Sequence, residues 1–212
     1  MVEKTNSISM AEASRGIYLD FEGRKDHPPA LVGILYDDQF QQIVLDPRLK
    51  SAADAKSLAL ELLEDVINRL LSECYASDRF LIAFSLHELN VIKWHCEIDV
   101  SDRYKNALKF AKRWKWHFHR KVELEKNSLD LFMTLPTVDY EVPKHLGKGN
   151  ATKRLNAVTD MLEKRGEYSK LTAVAKGKWT KLLDYNKHDV LGLKALVEQA
   201  AKDMERNVTD RG

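Results

Sequence analysis

Two acidic residues stand two positions apart at the end of the first strongly apolar stretch of the chain. Residues 16–23 read GIYLDFEG, so β-favouring residues lead directly into Asp20 and Glu22. Alternate side chains of a strand point to opposite faces, so Asp20 and Glu22 would share one face. Burying two carboxylates together is costly unless a cation lies between them, and hard divalent cations prefer oxygen ligands. The pattern predicts a metal site. The alternative is that the strand ends here and both acids are solvated.

Further acidic residues occur in two predicted helices. Glu88 follows an apolar run, Phe80-Leu81-Ile82-Ala83-Phe84, and falls early in the next helix. In the last helix Tyr185 and Asp189 are four residues apart, so they lie on the same helical face at the border of the apolar stripe. A Tyr/Asp pair at this spacing is also common on ordinary amphipathic helices. The combination of all these groups along one chain is what indicates a functional site.

The elements that would position these residues can be predicted from apolar periodicity and turn residues. Strands over 30–36 and 40–45, joined by Asp37 and Asp38, should form an antiparallel hairpin after the first strand. The uninterrupted apolar run over 80–84 is typical of a strand buried on both faces, as in parallel sheets beneath helices. Helices are predicted over 53–74, over 86–98 with Ser85 as N-cap, in two short pieces over 151–176, and over 179–204. Residues 138–150, which hold one proline and two glycines, are predicted to be a loop.

Basic and aromatic residues alternate over residues 103–126. Such a stretch suits a surface that follows a nucleic-acid strand, because the charges bind phosphates and the rings stack on bases. An amphipathic helix whose aromatic residues pack inward explains the pattern equally well. The nucleic-acid-binding prediction names five consecutive residues: Lys112, Arg113, Trp114, Lys115 and Trp116.

Composition limits the class of protein. The chain has 212 residues, of which 44% are hydrophobic and 31% charged, with a formal net charge of +2. We expect one globular domain over 16–212, preceded by a flexible tail over 1–15 and containing a lysine-rich, largely helical insertion over about 101–176. Only two cysteines, no secretory signal and no membrane-length apolar run predict a cytoplasmic protein without a membrane partner.

The order and type of these motifs resemble the DEDD exonucleases of the ribonuclease H-like superfamily, and within them the predicted RecB-associated exonuclease group. The resemblance is carried by residues 19–23 (LDFEG), by Phe84 to Glu88, and by Tyr185 to Val190 (YNKHDV). It covers the element order of nearly the whole chain. It implies an α/β fold with a mixed five-stranded sheet, strands one to three antiparallel, flanked by helices.

The resemblance also implies roles for individual residues. Histidine-type members carry His five residues before the last acid, where this chain has Asp184; tyrosine-type members carry Tyr four before it, where it has Tyr185. His188 is at neither spacing, so the chain resembles the tyrosine type. Most members carry aspartate where this chain has Glu88, which makes Glu88 a departure. The implied metal ligands for two Mg²⁺ or Mn²⁺ ions, roughly 3.5–4 Å apart, are Asp20, Glu22, Glu88 and Asp189.

The implied activity is metal-dependent hydrolysis of phosphodiester bonds, from the 3′ end of single-stranded or frayed DNA or RNA. One metal would activate the attacking water, the other would stabilise the leaving oxygen, and Tyr185 would orient that water. Two alternatives remain open: a nucleic-acid-binding protein of the same fold that has lost catalysis, and a structure-specific endonuclease.

Overall fold

The computed structural model describes residues 7–24, 26–141, 143, 146 and 150–209. The strands are β1 (Ile17–Gly23), β2 (Pro29–Tyr36), β3 (Gln39–Val44), β4 (Ala59–Leu60), β5 (Leu81–Ala83) and β6 (Tyr104–Asn106). The α-helices are α1 (Met10–Arg15), α2 (Lys50–Asp54), α3 (Leu63–Ala76), α4 (His87–Cys96), α5 (Ala107–Phe118), α6 (Leu129–Met133), α7 (Ala151–Arg165) and α8 (Ala173–Thr209).

The strands form one mixed sheet in the order β4-β3-β2-β1-β5-β6. The first three strands are antiparallel neighbours, whereas β5 is parallel to both β1 and β6. Asp37 and Asp38 have φ angles of 49° and 58°, which a two-residue type I′ hairpin turn requires at both central positions. The predicted hairpin and the antiparallel order of the first three strands are therefore confirmed, and β1 lies at the centre of the sheet.

The two faces of β1 belong to different hydrophobic layers. Ile17, Leu19 and Phe21 pack with residues of α3 and α4, whereas Tyr18 packs with residues of α8 and α5. Side chains alternate along a strand, so Asp20 and Glu22 lie on the Tyr18 face, beneath α8. This placement brings the two acids of the first strand to the helix that carries the last one.

Several predicted elements differ from the structure. The sheet has six strands rather than five, because β4 and β6 are too short to produce a recognisable pattern. The helix predicted over 53–74 is confirmed from Leu63 onward, where α3 begins, but its first part is wrong: α2 ends at Asp54 and Ser57 adopts a positive φ of 53°. A positive φ is incompatible with a continuous right-handed helix, so the chain turns and pairs β4 with β3 before α3 begins.

The segment over 101–176 contains both sheet and helix. Its strand β6 pairs with β5, and its helices α5, α6 and α7 pack against α8. The break predicted near Gly166 is confirmed, since α7 ends at Arg165 and Gly166 has a φ of 79°. Of the loop predicted over 138–150, residues 142, 144, 145 and 147–149 lie outside the described part of the chain.

Candidate metal centre

Three carboxylates converge between β1 and α8. Among the described residues, Asp20, Glu22 and Asp189 each offer an oxygen within 4.8 Å of the others. Strand alternation places the first two on one face, and α8 crosses that face so that Asp189 meets them. This arrangement agrees with the ligands predicted from the sequence for these three positions. We call Asp20, Glu22 and Asp189 the acid cluster.

The acid cluster is held in place by Asn186, a residue that the sequence analysis did not identify. Asn186 is fully buried, and its Nδ2 donates to the backbone oxygen of Asp20 at 3.1 Å and to Asp20 Oδ2 at 2.9 Å. Its Oδ1 accepts from Gln42 Nε2 at 2.9 Å. A Cβ at Gly33 would lie 2.4 Å from Asn186 Oδ1, so glycine on β2 leaves room for this side chain. The Asn186 amide therefore fixes the position of Asp20.

The electrostatic environment of the acid cluster opposes ionisation. Burial first, and then the charges of Glu22, Asp189 and Glu88, raise the pKa of Asp20 well above its usual value. Burial and the charge of Asp189 raise the pKa of Glu22 to about 8, although Arg154 acts in the opposite direction. Burial and the charge of Asp130 raise the pKa of Asp189 to about 7. Carboxylates arranged in this way either retain protons or recruit a cation.

Glu88 lies beside the acid cluster rather than within the 4.8 Å group. It is buried on the first turn of α4, and its charge contributes to the raised pKa of Asp20. Ser85 Oγ donates to Glu88 Oε2 at 3.2 Å and accepts from the His87 backbone N–H at 3.0 Å. The N-cap of α4 is Leu86, so the prediction of Ser85 as N-cap is wrong; Ser85 precedes the cap and binds the His87 backbone N–H and the Glu88 carboxylate.

Tyr185 lies close to Asp189, as their spacing predicted, and hydrogen bonding by its side chain lowers the pKa of Asp189, against the larger effect of burial. Burial and the surrounding acidic charges raise the pKa of Tyr185 far above its usual value. The phenol therefore stays protonated and acts as a hydrogen-bond donor rather than as a base. His188 contacts the hydroxyl of Tyr140 through Nδ1, so its partner lies outside the acid cluster.

Two charged residues near the acid cluster were missed by the sequence analysis. Arg154 on α7 is 8% exposed, its Cζ lies 5.8 Å from the centre of the Tyr185 ring, and Nη2 donates to the Leu146 carbonyl. Asp130 on α6 raises the pKa of both Asp189 and Tyr185. Arg154 precedes the buried Val158 by four residues, so the two lie on the same face of α7. A charged residue on this apolar face was the feature of the sequence that could have identified Arg154.

The predicted nucleic-acid-binding helix is α5, and the structure contradicts a stacking role for Trp114. This side chain is fully buried, and its Nε1–H donates to Asp203 Oδ2 at 2.9 Å. A base cannot stack on a ring that the core already covers, so the inward-packing alternative holds here. Asp203 follows Asp189 by fourteen residues on α8, about 21 Å along the helix axis.

The other predicted nucleic-acid-binding residues of α5 remain at the surface. Lys112, Arg113 and Trp116 are exposed, and Lys115 is half-buried. Trp116 is partly covered by its own neighbours: Arg120 Cζ lies 5.0 Å from its ring centre, and the His117 ring centre lies 4.7 Å away. Phosphate contacts by these residues stay a prediction.

A cavity of about 260 Å³ opens beside Glu22, between the end of β1 and the first turns of α4. Phe21, Pro29 and Val91 supply apolar walls. Arg24, His27 and His87 supply basic or ionisable groups. The acid cluster is thus adjacent to a space that a substrate could enter.

In comparisons with known proteins, no family model matches the chain, and neither a curated protein nor a solved structure matches it. The site therefore has to be interpreted from its own geometry. No helix in the described part of the chain is long and apolar enough to cross a membrane.

Proposed function

We propose that this chain is a metal-dependent nuclease with a ribonuclease H-like fold that removes nucleotides from the 3′ end of single-stranded or frayed nucleic acid. One observation carries the proposal: Asp20, Glu22 and Asp189 meet within 4.8 Å, although they come from opposite ends of the chain. Bringing one buried and two half-buried carboxylates together costs free energy unless a positive charge binds between them. The antiparallel order of the first three strands and the tyrosine four residues before the last acid also support it.

The acid cluster fits a hard divalent cation, and we propose Mg²⁺ or Mn²⁺. Carboxylate oxygens are the ligands that both ions prefer, and several of them converge here. Asp20, Glu22 and Asp189 would hold the metal, with Glu88 as a further ligand of a two-ion centre. When bound, such cations stabilise charge on phosphoryl oxygens and lower the pKa of coordinated water.

The surrounding residues have distinct tasks in this proposal. Asn186 keeps the Asp20 carboxylate in place through its Nδ2 hydrogen bond. Tyr185 orients the attacking water by hydrogen bonding. Arg154, which already lowers the pKa of Glu22, offsets part of the negative charge of the acid cluster. These residues together would position a phosphodiester for hydrolysis.

The test uses a single strand labelled at its 3′ end, incubated with Mn²⁺ or with excess chelator. We expect release of labelled mononucleotide with Mn²⁺ and none with chelator. Asp20→Asn, purified in parallel, should be inactive while remaining folded, which controls for contaminating nucleases. Labelled products longer than a nucleotide would instead indicate an endonuclease. Strand binding without any cleavage would indicate a protein that has lost catalysis.

A further inference from the structure

The helix that carries Glu88 presents a stripe of side chains that leads away from the acid cluster. His87, Val91 and Trp94 follow one another at spacings of four and three residues, so they lie along one face of α4. His87 and Val91 line the cavity beside Glu22. Trp94 comes one turn later on the same stripe, and 67% of its surface is exposed. The stripe therefore leads from the cavity-lining His87 and Val91 to an exposed indole one turn further along α4.

The cavity has the chemical character of a nucleotide site. Its apolar walls, Phe21, Pro29 and Val91, suit a sugar or a base, whereas Arg24 and two histidines suit a phosphate. Arg24 Nη2 donates to Thr159 Oγ1 at 2.6 Å, which holds the guanidinium in place. The buried Arg24 Nε has no hydrogen-bond partner among the described residues. The cavity thus continues the site with cationic groups that attract an anion.

Trp94 differs from Trp116, which is the other strongly exposed tryptophan of the described residues. The ring of Trp116 is covered in part by Arg120 and His117. For Trp94, no ring or cation contact occurs within the described part of the chain. Its face is therefore free for an aromatic partner. The seven helical steps from His87 to Trp94 span about 10 Å, which is the reach of a few stacked nucleotides.

We propose that a single nucleic-acid strand runs from the acid cluster through this cavity and stacks a base on Trp94. The inference rests on the proposed function, because it names the path of the substrate of that same site. It commits to a single strand because an unpaired base can stack on an aromatic ring, whereas the bases of a duplex are already stacked on each other. Stacking of this kind accepts any base, so Trp94 adds affinity without sequence preference.

The test measures binding of a fluorescently labelled oligothymidylate of about a dozen nucleotides to the Asp20→Asn protein in Mg²⁺, where cleavage is suppressed. Trp94→Ala should weaken binding by about 5- to 150-fold, the range for loss of one base–aromatic stack. Trp94→Phe should restore most of the affinity, since a ring is retained. Tyr75→Ala is the matched control: Tyr75 is 54% exposed and lies at the end of α3, before β5 and away from the cavity.

A second experiment compares substrates of different length to test whether only a long strand contacts Trp94. In a protein that keeps Asp20, and with Mg²⁺ present, Trp94→Ala should raise the KM for the long strand. The KM for a dinucleotide should stay unchanged, because a dinucleotide does not reach the indole. Equal affinities of the Trp94→Ala and parent proteins would overturn the inference, and so would a loss confined to Trp116→Ala, which would place the strand on α5. A failure of the nuclease proposal appears separately, as absence of mononucleotide release by the wild-type protein.

Discussion

The two halves of α8 each carry a buried or half-buried aspartate, and the surroundings of these aspartates differ. Asp203, in the second half, accepts hydrogen bonds from Trp114 Nε1 at 2.9 Å and from Gln199 Nε2 at 2.8 Å. Asp189, in the first half, faces Asp20 and Glu22, and hydrogen bonding by the Tyr185 side chain lowers its pKa.

The difference separates an acid that completes helix packing from an acid of the proposed metal site. A carboxylate that receives neutral donors completes the packing of two helices. A carboxylate surrounded by other acids raises the free energy of the folded protein until a cation arrives. Uncompensated buried charge, rather than acidity alone, therefore marks the site on this helix.

The largest expected effect is obtained by replacing each of these aspartates in turn. Asp189→Asn should remove both nuclease activity and high-affinity Mn²⁺ binding, because a ligand of the acid cluster is lost. Asp203→Asn should keep both, since the site lies about 21 Å away along the helix. Calorimetric Mn²⁺ titration and the 3′-label assay measure the two properties. Loss of Mn²⁺ binding in Asp203→Asn would contradict the distinction between the two halves.

Tyr185→Phe should lower the rate of hydrolysis by roughly 10²–10⁴-fold, the usual cost of a lost positioning group. The ring keeps its packing, so thermal stability should change little, and the carboxylates should bind Mn²⁺ as before. Single-turnover rates together with the same calorimetric titration check this expectation. An unchanged rate would show that Tyr185 is a packing residue and would remove it from the site.

Trp114 and Trp116 on α5 allow the packing role of Asp203 to be tested, because one ring is buried against Asp203 and the other is exposed. Trp114→Ala should lower the free energy of unfolding by about 3–5 kcal/mol, because it empties a fully packed site and removes the indole donor to Asp203. Trp116→Ala should change it by no more than about 0.5 kcal/mol. Urea denaturation of both variants measures these values. A Trp114→Ala protein of unchanged stability with weakened strand binding would restore the surface role predicted from the sequence.

The smallest effect concerns pH and the metal-free protein. The raised pKa values of Glu22, about 8, and Asp189, about 7, mean that the folded state holds protons that the unfolded state has released above about pH 4. Stability should therefore fall as pH rises from about 4 to 8. Asp46, whose pKa is lowered, titrates below this range, whereas burial lowers the pKa of His119, which contributes in the opposite direction as pH rises through its usual pKa of about 6.5.

The measurement is the free energy of unfolding at several pH values in the presence of chelator. Asp20→Asn should flatten the dependence, because it removes one of the repelling charges, whereas Asp203→Asn should leave it unchanged. Added Mn²⁺ should oppose the fall, since a metal binds the ionised carboxylates. A metal-free protein that becomes more stable between pH 5 and 8 would contradict the account of the acid cluster.

Local patterns were sufficient to predict part of this arrangement. Alternation along β1 placed Asp20 and Glu22 on one face, and helical spacing placed Tyr185 over Asp189. Asn186 was not predictable, because its role depends on how α8 lies across the sheet and on the glycine opposite it on β2. The orientation of Trp114 was ambiguous for a different reason. Alternating basic and aromatic residues give one pattern whether the rings face the core or the solvent.

The central claim is that the acid cluster holds divalent cations, and a crystal structure of the protein soaked in Mn²⁺ tests it most directly. Anomalous scattering locates Mn²⁺ without reference to activity. The account predicts Mn²⁺ bound by Asp20, Glu22 and Asp189, with Glu88 turned toward a second ion, and loss of these peaks in Asp20→Asn. Mn²⁺ absent from the acid cluster at saturating concentration and at a pH above 8 would contradict it.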